Sequence, residues 1–536
     1  MEPRQGPKDI QTGDKGAVSS SHPMVSRIMI DVLKNGGNAV DAAVAASLAG
    51  PVYEPHMTTI SGTVSFLYWD AETGKSYFMD ASPILPEGLS PFCPHPYAPT
   101  TAAAIPGSST GLKSILQRFG SKSWSELVQP AIKAAKEGHT VTGWEYALIY
   151  GGSGSKSSTL AGRTFFPSGR THFAPCGFQV QVGEKWRRPN LAKSLESSAE
   201  EGPDYFISGN WARRFVEVAN ELGWMITLDD VSGYEPLWLK PTMIKYKGDE
   251  IIGIPPPQRG GFYTGFFFGV LEQLELNDHY TESSETLALM AWVLRRAHLD
   301  RNLIHDPDYY ETPIDTLLSS DYHKVISELW EKSRPKRDLS NYLELTNSKS
   351  TLRGSLPSTG HVPHDSCELS IVDEEGNWVQ MMETGGGGIP GVVVGGVPGS
   401  GIGWERYAMI EPGGRTQHAI SNTIVKRGDE PWICIGSPGD CIFTVPQVLF
   451  SILEYGWKPY EAIDAPRFWP LRDDWTIEAE NRLSLEIVKG LREMGFMLRP
   501  LGEYHWSMGS MQAVWREDGV LKCTADPRRL GVGLAF

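Results

Sequence analysis

The chain has 536 residues, enough to bury a large core, and by length alone it would form about two to four domains. Its 64 acidic and 49 basic residues give a formal net charge of -15 at pH 7, which disfavours nucleic acid or an anionic membrane as a partner. The hydrophobic share of 40% and the charged share of 21% are typical of an ordinary globular protein.

The six cysteines are scattered without a CxxC pair, which argues against a zinc knuckle or a disulfide framework and is compatible with a reducing compartment. The first 20 residues lack the apolar core of a signal peptide, and no later run of about 18 apolar residues follows. We therefore expect a cytoplasmic protein with no membrane partner, no metal and no organic cofactor.

Apolar residues recur at helical spacing through most of the first 330 residues, and several of these stretches end at a glycine. A hairpin interrupts them, with strands at 63–70 and 75–82, and 151–170 is rich in Gly and Ser and is predicted to be loop. Two further short strands are expected within 243–257. The predicted helices are 23–34, 38–50, 108–119, 123–137, 189–201, 210–222, 261–274, 285–303 and 319–330.

Beyond this region, residues 331–365 are rich in Lys, Arg, Ser, Asn and Pro and are predicted to be a flexible linker. Strand patterns then dominate the last third, with helices expected at 441–456 and 484–494. Antiparallel hairpins, rather than regular strand-helix-strand alternation, predict an α+β fold with helices outside and sheets inside.

The stretch 364–384 is predicted to form two short strands joined by a polar turn at 373–377. Its first strand opens with Ser366, directly after the predicted linker. An N-terminal nucleophile hydrolase needs this arrangement: the hydroxyl attacks the peptide bond before it, the chain is cut there, and the new α-amine becomes the base. An ordinary surface hairpin is the alternative, because strands that begin with Ser are common.

A second candidate feature is the sequence GSPGD at 436–440, between a predicted strand and a predicted helix. Such a junction can aim unpaired backbone N–H groups at one point and stabilise an oxyanion. A simple strand-to-helix turn is the alternative.

Blocks along nearly the whole chain resemble the gamma-glutamyltranspeptidase family, and KNGGNAVDAA together with ADPRR is highly specific in this order. These blocks are GAVSSSHP (16–23), KNGGNAVDAAVAAS (34–47), AIPGSSTGL (104–112), PPPQRGG (255–261), LSIVDEEGNWV (369–379), GSPGD (436–440) and ADPRR (525–529).

The resemblance implies a four-layer αββα sandwich and a precursor that cuts itself into a large portion, 1–365, and a small portion, 366–536. The cut would fall between Asp365 and Ser366, with Ser366 in place of the family's Thr nucleophile. Ser keeps the hydroxyl and its attack chemistry. Cys367 is a rival nucleophile, but strand alternation would turn it to the other face.

The resemblance also assigns supporting roles around the nucleophile. The family hydroxyl that steadies the nucleophile corresponds to Thr384. The two backbone N–H groups of the family's oxyanion hole correspond to Gly439 and Asp440. Arg528 and Arg529 lie in the family tail, where a structural salt bridge is expected.

Departures from the family concern the substrate. The Arg that grips the glutamyl α-carboxylate corresponds to Ser82, and the serine pair that helps it corresponds to His418 and Ala419. In the region that would hold the α-amino group, only Glu405 offers a comparable side chain. A free γ-glutamyl head needs partners for both of its charges, and losing them costs several kcal/mol.

Three functions follow from these observations. The first is a self-processing amidohydrolase that cleaves an amide other than a free γ-glutamyl compound through a Ser366 acyl-enzyme, with water or an amine as acceptor. The second is a γ-glutamyl hydrolase or transpeptidase with a rebuilt pocket. The third is an uncleaved, inactive relative that acts as a binding protein. The expected partners are a small-molecule amide and the two portions of the same precursor, and a homo-oligomer is left open.

Overall fold

The computed structural model describes residues 5–88, 101–150, 163–276, 278–333, 366–385, 392–399, 401–403, 411–439, 441–470 and 475–536. Most of the predicted linker, from 334 onward, therefore lies outside the described residues. No helix within the described ranges is long and apolar enough to cross a membrane.

Two large antiparallel sheets form the centre of the described structure, and each contains seven strands. In spatial order, sheet I consists of Val532–Ala535, Ala17–Ser20, Cys367–Val372, Trp378–Thr384, Thr63–Asp70, Lys75–Ala81 and Leu237–Leu239. Sheet II consists of Gln11–Gly13, Val520–Ala525, Gln512–Glu517, Glu430–Gly436, Thr423–Arg427, Asp249–Gly253 and Thr242–Tyr246.

Shorter strands form small sheets beside these two. They are Thr101–Ala103, His139–Thr140, Lys185–Trp186, Val393–Val394, Val397–Pro398, Gly401–Gly403, Phe468–Pro470, Thr476–Glu480 and Met497–Leu501.

Helices cover the outer faces of the two large sheets. Before the predicted linker they are Pro23–Lys34, Ala39–Tyr53, Ser108–Phe119, Trp124–Leu127, Gln129–Glu137, Gly143–Tyr150, Pro167–Phe173, Pro189–Glu201, Asp204–Ile207, Asn210–Glu221, Leu228–Ser232, Gly260–Leu271, Ser284–Asp300, Ile314–Leu317, Ser320–Ser327 and Trp330–Ser333. After the predicted linker the helices are Cys441–Leu453, Pro459–Asp464 and Leu485–Glu493. Single 3-10 turns lie before the linker at Arg301–Leu303 and after it at Trp506–Met508.

Three hydrophobic clusters follow from this layering. One lies between sheet I and the helices that include Ala39–Tyr53, and a second lies between sheet II and the helices that include Gly260–Leu271 and Cys441–Leu453. A third lies between the two sheets and contains Trp378 and Ile424. The order helix, sheet, sheet, helix confirms the predicted α+β fold and its αββα sandwich.

The hairpin that begins after Ser366 occupies the middle of sheet I, and all residues of its two strands are buried. Its turn is tied to the helix layer, because the Asp373 carboxylate accepts hydrogen bonds from the N–H of Asn377 at 2.9 Å and the N–H of Ala39 at 2.8 Å. The prediction of a hairpin is confirmed, and the alternative of a surface hairpin is wrong.

The helix Ala39–Tyr53 packs directly on this hairpin and is buried along its whole length. Its run of Ala, Gly and Ser lets the helix approach the sheet closely, because small side chains keep the backbones near each other. Asn38 caps its N-terminus with Asp41 in a reciprocal capping box. The small-residue pattern and the cap were both readable from the sequence.

Some predicted bounds differ from the structure. The predicted helix 123–137 is two helices, because Pro130 in the first turn of the second one has no N–H to continue the hydrogen bonding of the first. A helix, Pro167–Phe173, begins in the last four residues of the tract predicted to be loop, 151–170, and its proline stands at the start, where helices tolerate it. The predicted helices 23–34, 108–119 and 189–201 have the bounds found in the structure.

Candidate active site

Ser366 lies at the edge of the central hairpin and is 4% exposed. The strand that follows it pairs Cys367 with Glu383, so continuing this antiparallel register by one residue sets Ser366 opposite Thr384. Thr384 is in turn opposite Thr63 on the next strand of sheet I. The candidate nucleophile and the candidate steadying hydroxyl therefore lie side by side at one end of sheet I.

The two residues after Ser366 define the faces of this strand. The Cys367 thiol donates a hydrogen bond to the Glu54 carboxyl at 3.2 Å, on the helix side of sheet I. Glu368 packs against Gly436 of sheet II, since a Cβ built on Gly436 would stand 2.1 Å from the Glu368 carboxyl oxygen. Because strand residues alternate, Ser366 belongs to the face of Glu368, which looks towards sheet II.

Cys367 is a poor rival nucleophile in this setting. Burial, together with the negative charges of Glu54 and Glu383, raises the pKa of its thiol well above the ordinary value. A thiol attacks in its thiolate form, so a buried, protonated thiol on the helix side is a weak nucleophile.

The turn at the end of strand Glu430–Gly436 faces the start of the hairpin. Gly439 has a φ of +84°, a left-handed conformation that strains any residue with a Cβ. Ser437 steadies the turn because its hydroxyl accepts a hydrogen bond from the N–H of Ser510 at 2.9 Å. Asp440, the other predicted oxyanion donor, lies outside the described residues, as does Asp365.

Arg529 links Ser366 to this turn. Its Nη1 donates a hydrogen bond to the carbonyl oxygen of Ser366 at 3.2 Å, and its Nη2 lies 3.5 Å from where a Cβ on Gly439 would stand. The neighbouring Arg528 has the predicted structural role, since it pairs with Glu480 at 2.7 Å and Asp526 at 3.2 Å. The sequence placed both arginines in one structural motif, whereas the structure places Arg529 beside the candidate nucleophile.

Ser82, which stands where the family has its carboxylate-binding Arg, is engaged inside the protein. Its hydroxyl donates to the Asp80 carboxylate at 2.6 Å and accepts from the Gln258 amide at 2.9 Å. Gln258 also donates to Asp80 at 2.8 Å, and Tyr234 donates to the carbonyl of Ser82 at 2.8 Å. These buried polar groups satisfy one another, so Ser82 has a structural setting.

His418 closes the same network. The backbone N–H of His418 donates to the Gln258 side-chain oxygen at 2.8 Å. Its ring Nε2 lies 2.7 Å from the Thr416 hydroxyl and 3.1 Å from the Thr63 hydroxyl. The carbonyl of Ala419 accepts a hydrogen bond from the Cys441 thiol at 2.7 Å. His418 therefore contacts Thr63, which is paired with Thr384 on the neighbouring strand of sheet I. Glu405 lies outside the described residues.

Sequence reasoning missed a buried polar group on the helix side of Ser366. Glu54, His56 and Arg163 are each at most 3% exposed, and Arg163 donates to the carbonyl of His56 at 3.4 Å. Glu54 and His56 come directly after a helix that belongs to a family block, and this was the available signal. Arg163 lies in the tract predicted to be loop, where no pattern marked it.

The buried Glu54 carboxyl predicts a pH dependence of stability. Burial raises its pKa from 4.5 to about 7, against the opposing effects of the Cys367 hydrogen bond and Arg529. The folded protein therefore holds a proton that the unfolded chain releases, and this contribution is complete below about pH 4.5 and is lost as the pH rises to about 7. We expect Glu54→Gln to remove a decline of roughly 3 kcal/mol across that window, measured by urea unfolding at several pH values. Parallel curves for the wild type and the variant would contradict this.

The described residues offer no group of three His, Cys, Asp or Glu side chains that could hold a metal ion.

Comparisons with known proteins agree with this geometry. Residues 25–536 match the family model described as Gamma-glutamyltranspeptidase. The chain is 26% identical to the Glutathione hydrolase proenzyme of Bacillus subtilis (strain 168), over 99% of this chain and 93% of that protein. It is also 26% identical to the Acylase ACY 1 proenzyme of Pseudomonas sp. (strain SE83), over 91% and 88%. The crystal structure of cephalosporin acylase from Bacillus halodurans superposes with a TM-score of 0.85 at 23% identity, over 100% and 98% of the two chains.

Proposed function

The chain belongs to the gamma-glutamyltranspeptidase family of N-terminal nucleophile hydrolases, enzymes that act on C–N bonds, and from this premise we propose a self-processing amidohydrolase whose substrate is not a free γ-glutamyl compound. In this proposal Ser366 is the nucleophile, and the chain is cut between Asp365 and Ser366. The two relatives named above as proenzymes support a processed chain.

The proposed reaction uses the side-by-side placement of Ser366 and Thr384. The Ser366 hydroxyl attacks the amide carbonyl while its own α-amine takes the proton, and the Thr384 hydroxyl steadies the nucleophile. The backbone N–H groups of Gly439 and Asp440 hold the negative charge that develops on the carbonyl oxygen. The C–N bond then breaks, the amine leaves with the proton, and water releases the acyl group from Ser366.

The Ser82 network is the observation that carries the choice of substrate. A γ-glutamyl α-carboxylate needs a cationic or strongly donating partner, and its family partner corresponds here to a Ser whose hydroxyl already bonds Asp80 and Gln258. Burial raises the pKa of the Asp80 carboxyl, so this neighbour of Ser82 offers a substrate carboxylate no positive charge. The network therefore disfavours a free γ-glutamyl head at this position.

A panel of chromogenic anilides tests the proposal. We expect the cleaved wild-type protein to release p-nitroaniline from simple acyl anilides at a kcat/KM at least about 100-fold above that for γ-glutamyl-p-nitroanilide, because lost charge partners cost several kcal/mol. The reverse order would favour the alternative of a γ-glutamyl hydrolase, which the similarity to the Glutathione hydrolase proenzyme of Bacillus subtilis supports. If the chain is uncleaved and releases p-nitroaniline from none of the anilides, the binding-protein alternative is favoured.

A further inference from the structure

A buried carboxyl group links the strand that begins after Ser366 to the turn that carries Gly439. Glu368 lies two residues after Ser366 on the same face of sheet I and is fully buried. Its Oε1 accepts a hydrogen bond from the Gln380 amide of the neighbouring strand. The same carboxyl group lies on Gly436, where a Cβ would stand 2.7 Å from the Glu368 Cδ. Glu368 therefore bridges the two large sheets beside the candidate site.

The contact with Gly436 bears directly on the turn. Gly436 is the last residue of its strand and stands three residues before Gly439. A Cβ at Gly436 would also come within 2.5 Å of the Gln380 amide nitrogen, so this glycine lets both polar side chains reach its backbone. The next residue, Ser437, accepts a hydrogen bond from the N–H of Ser510 at 2.9 Å. A shift of the strand end at Gly436 would therefore be passed on to Gly439.

Glu368 also anchors the strand end that carries Ser366. Pairing with the strand that ends at Ser20 stops at Leu369. One residue earlier, the backbone N–H of Glu368 donates to the side chain of Ser21 at 3.2 Å. In a chain cut before Ser366, Glu368 is the third residue from a free end. The hydrogen bonds at Glu368 then limit how far that end can move.

The Glu368 carboxyl group is held in its neutral form. Burial raises its pKa well above the ordinary value, and the hydrogen bond from Gln380 opposes this shift only in part. Its second oxygen, Oε2, has no hydrogen-bond partner among the described residues. A buried polar atom without a partner costs free energy, and such atoms in native proteins call for an explanation such as a role in catalysis. Stability alone therefore does not explain Glu368.

We propose that Glu368 is a positioning residue for amide cleavage, which through Gln380 and Gly436 fixes the Ser366 hydroxyl relative to the turn at Gly439. This inference rests on the proposed function and adds a residue to the same site. Oxyanion donors act only at hydrogen-bond distance from the developing charge, and a displacement of about 1 Å can lower the rate about 100-fold. Glu368 acts in this account without touching the substrate.

Variants of Glu368 give the direct test. We expect Glu368→Ala to lower kcat on the preferred anilide about 10- to 100-fold and to leave KM within about twofold, because the contacts with bound substrate remain. Glu368→Gln has nearly the shape of the neutral acid, and its amide oxygen can accept the same hydrogen bond from Gln380. It should therefore keep kcat within about threefold of the wild type. Glu368→Asp has a shorter side chain and should fall between the two.

A double-mutant cycle tests whether Glu368 and Gln380 act as a unit. Gln380→Ala should lower kcat by a factor similar to that of Glu368→Ala. The double variant should then be within about twofold of the slower single variant, because residues that act together are not additive. Losses that multiply in the double variant would contradict the proposal.

Asp41→Ala controls for lost stability. Asp41 is also fully buried, and its carboxyl group accepts hydrogen bonds from the N–H of Ser121 at 2.9 Å and from the Ser121 hydroxyl at 2.6 Å. It lies at the turn end of the central hairpin, since the nearby Ala39 donates to Asp373 in that turn. We expect Asp41→Ala to lower the midpoint of urea unfolding, as Glu368→Ala does, and to keep kcat within about twofold.

Rates are compared per cut chain, with the cut fraction taken from mass spectra. Self-cleavage uses the same attack by Ser366, so a folded but uncut Glu368→Ala chain supports the proposal when Asp41→Ala is cut. If Glu368→Ala does not fold, Glu368→Asp and Gln380→Ala provide the same test.

The outcomes separate this inference from the function on which it rests. If the wild type hydrolyses the anilide and Glu368→Ala keeps its kcat, the positioning role is wrong, although the proposed amidohydrolase stands. An equal loss of kcat in Asp41→Ala, or in Glu368→Gln, would also overturn the positioning role. If the wild-type protein hydrolyses no amide, the proposed function and the inference both fail.

Discussion

Replacing Ser366 with Ala is expected to leave the chain uncut and to reduce amide hydrolysis by about 10⁴-fold or more, because the variant loses the proposed nucleophile and, without the cut, its base. The geometry behind this expectation is the register that sets Ser366 opposite Thr384 at the end of sheet I, with Arg529 between the Ser366 carbonyl and the Gly439 turn. The measurement is the initial rate on the preferred anilide, together with the intact mass of the purified chain.

Two control variants sharpen this result. Ser366→Thr keeps a hydroxyl on the same backbone and should retain both the cut and measurable hydrolysis. Cys367→Ala removes the buried thiol on the helix side and should still give a cut chain, because its raised pKa keeps that thiol protonated. A cut chain from Ser366→Ala, or an uncut chain from Cys367→Ala only, would assign the nucleophile to Cys367 instead.

The second large effect concerns the stability of the layer behind the site. Arg528 is fully buried, and its guanidinium bonds the Glu480 carboxylate at 2.7 Å through two nitrogens and the Asp526 carboxylate at 3.2 Å. Arg482 still contacts Glu480 and Arg467 still contacts Asp526 in the Arg528→Leu variant, but the buried network of two carboxylates and three arginines loses the guanidinium that bonds both acids. Breaking a buried ion pair in this way costs about 3–5 kcal/mol in the free energy of unfolding. Urea unfolding of the wild type and the variant measures this loss.

Arg499→Leu provides the matched comparison. Arg499 also pairs with a carboxylate, Glu478 at 2.8 Å, but its side chain is about half exposed. Exposed ion pairs contribute about 0–1 kcal/mol, so this variant should unfold close to the wild-type midpoint. Equal losses for the two variants would show that the burial of Arg528 is not what makes its ion pairs important.

The sequence predicted the architecture well where local patterns decide it. The helix at 23–34, the cap at Asn38 and the central hairpin all follow from residue spacing and turn chemistry, which act over a few neighbours. The hairpin also determines which residue faces Thr384, because antiparallel register extends from its turn. Recognition of the family blocks added the layering that periodicity alone leaves open.

The surroundings of the site were less predictable, because they depend on contacts between residues far apart in the chain. Arg529 reaches Ser366 across 163 positions of sequence, and Gln258 reaches Ser82 across 176. No spacing rule links such residues. The sequence could therefore show that Ser82 replaces the family Arg, but not that the Ser82 hydroxyl is hydrogen-bonded to Asp80 and Gln258.

The most direct test of the central claim is a denaturing mass spectrum of freshly purified wild-type protein. We expect two fragments that join between Asp365 and Ser366, with the smaller one beginning at Ser366 and carrying a free α-amine. A single chain of 59.1 kDa would contradict it, because Ser366 would then have no α-amine to act as its base.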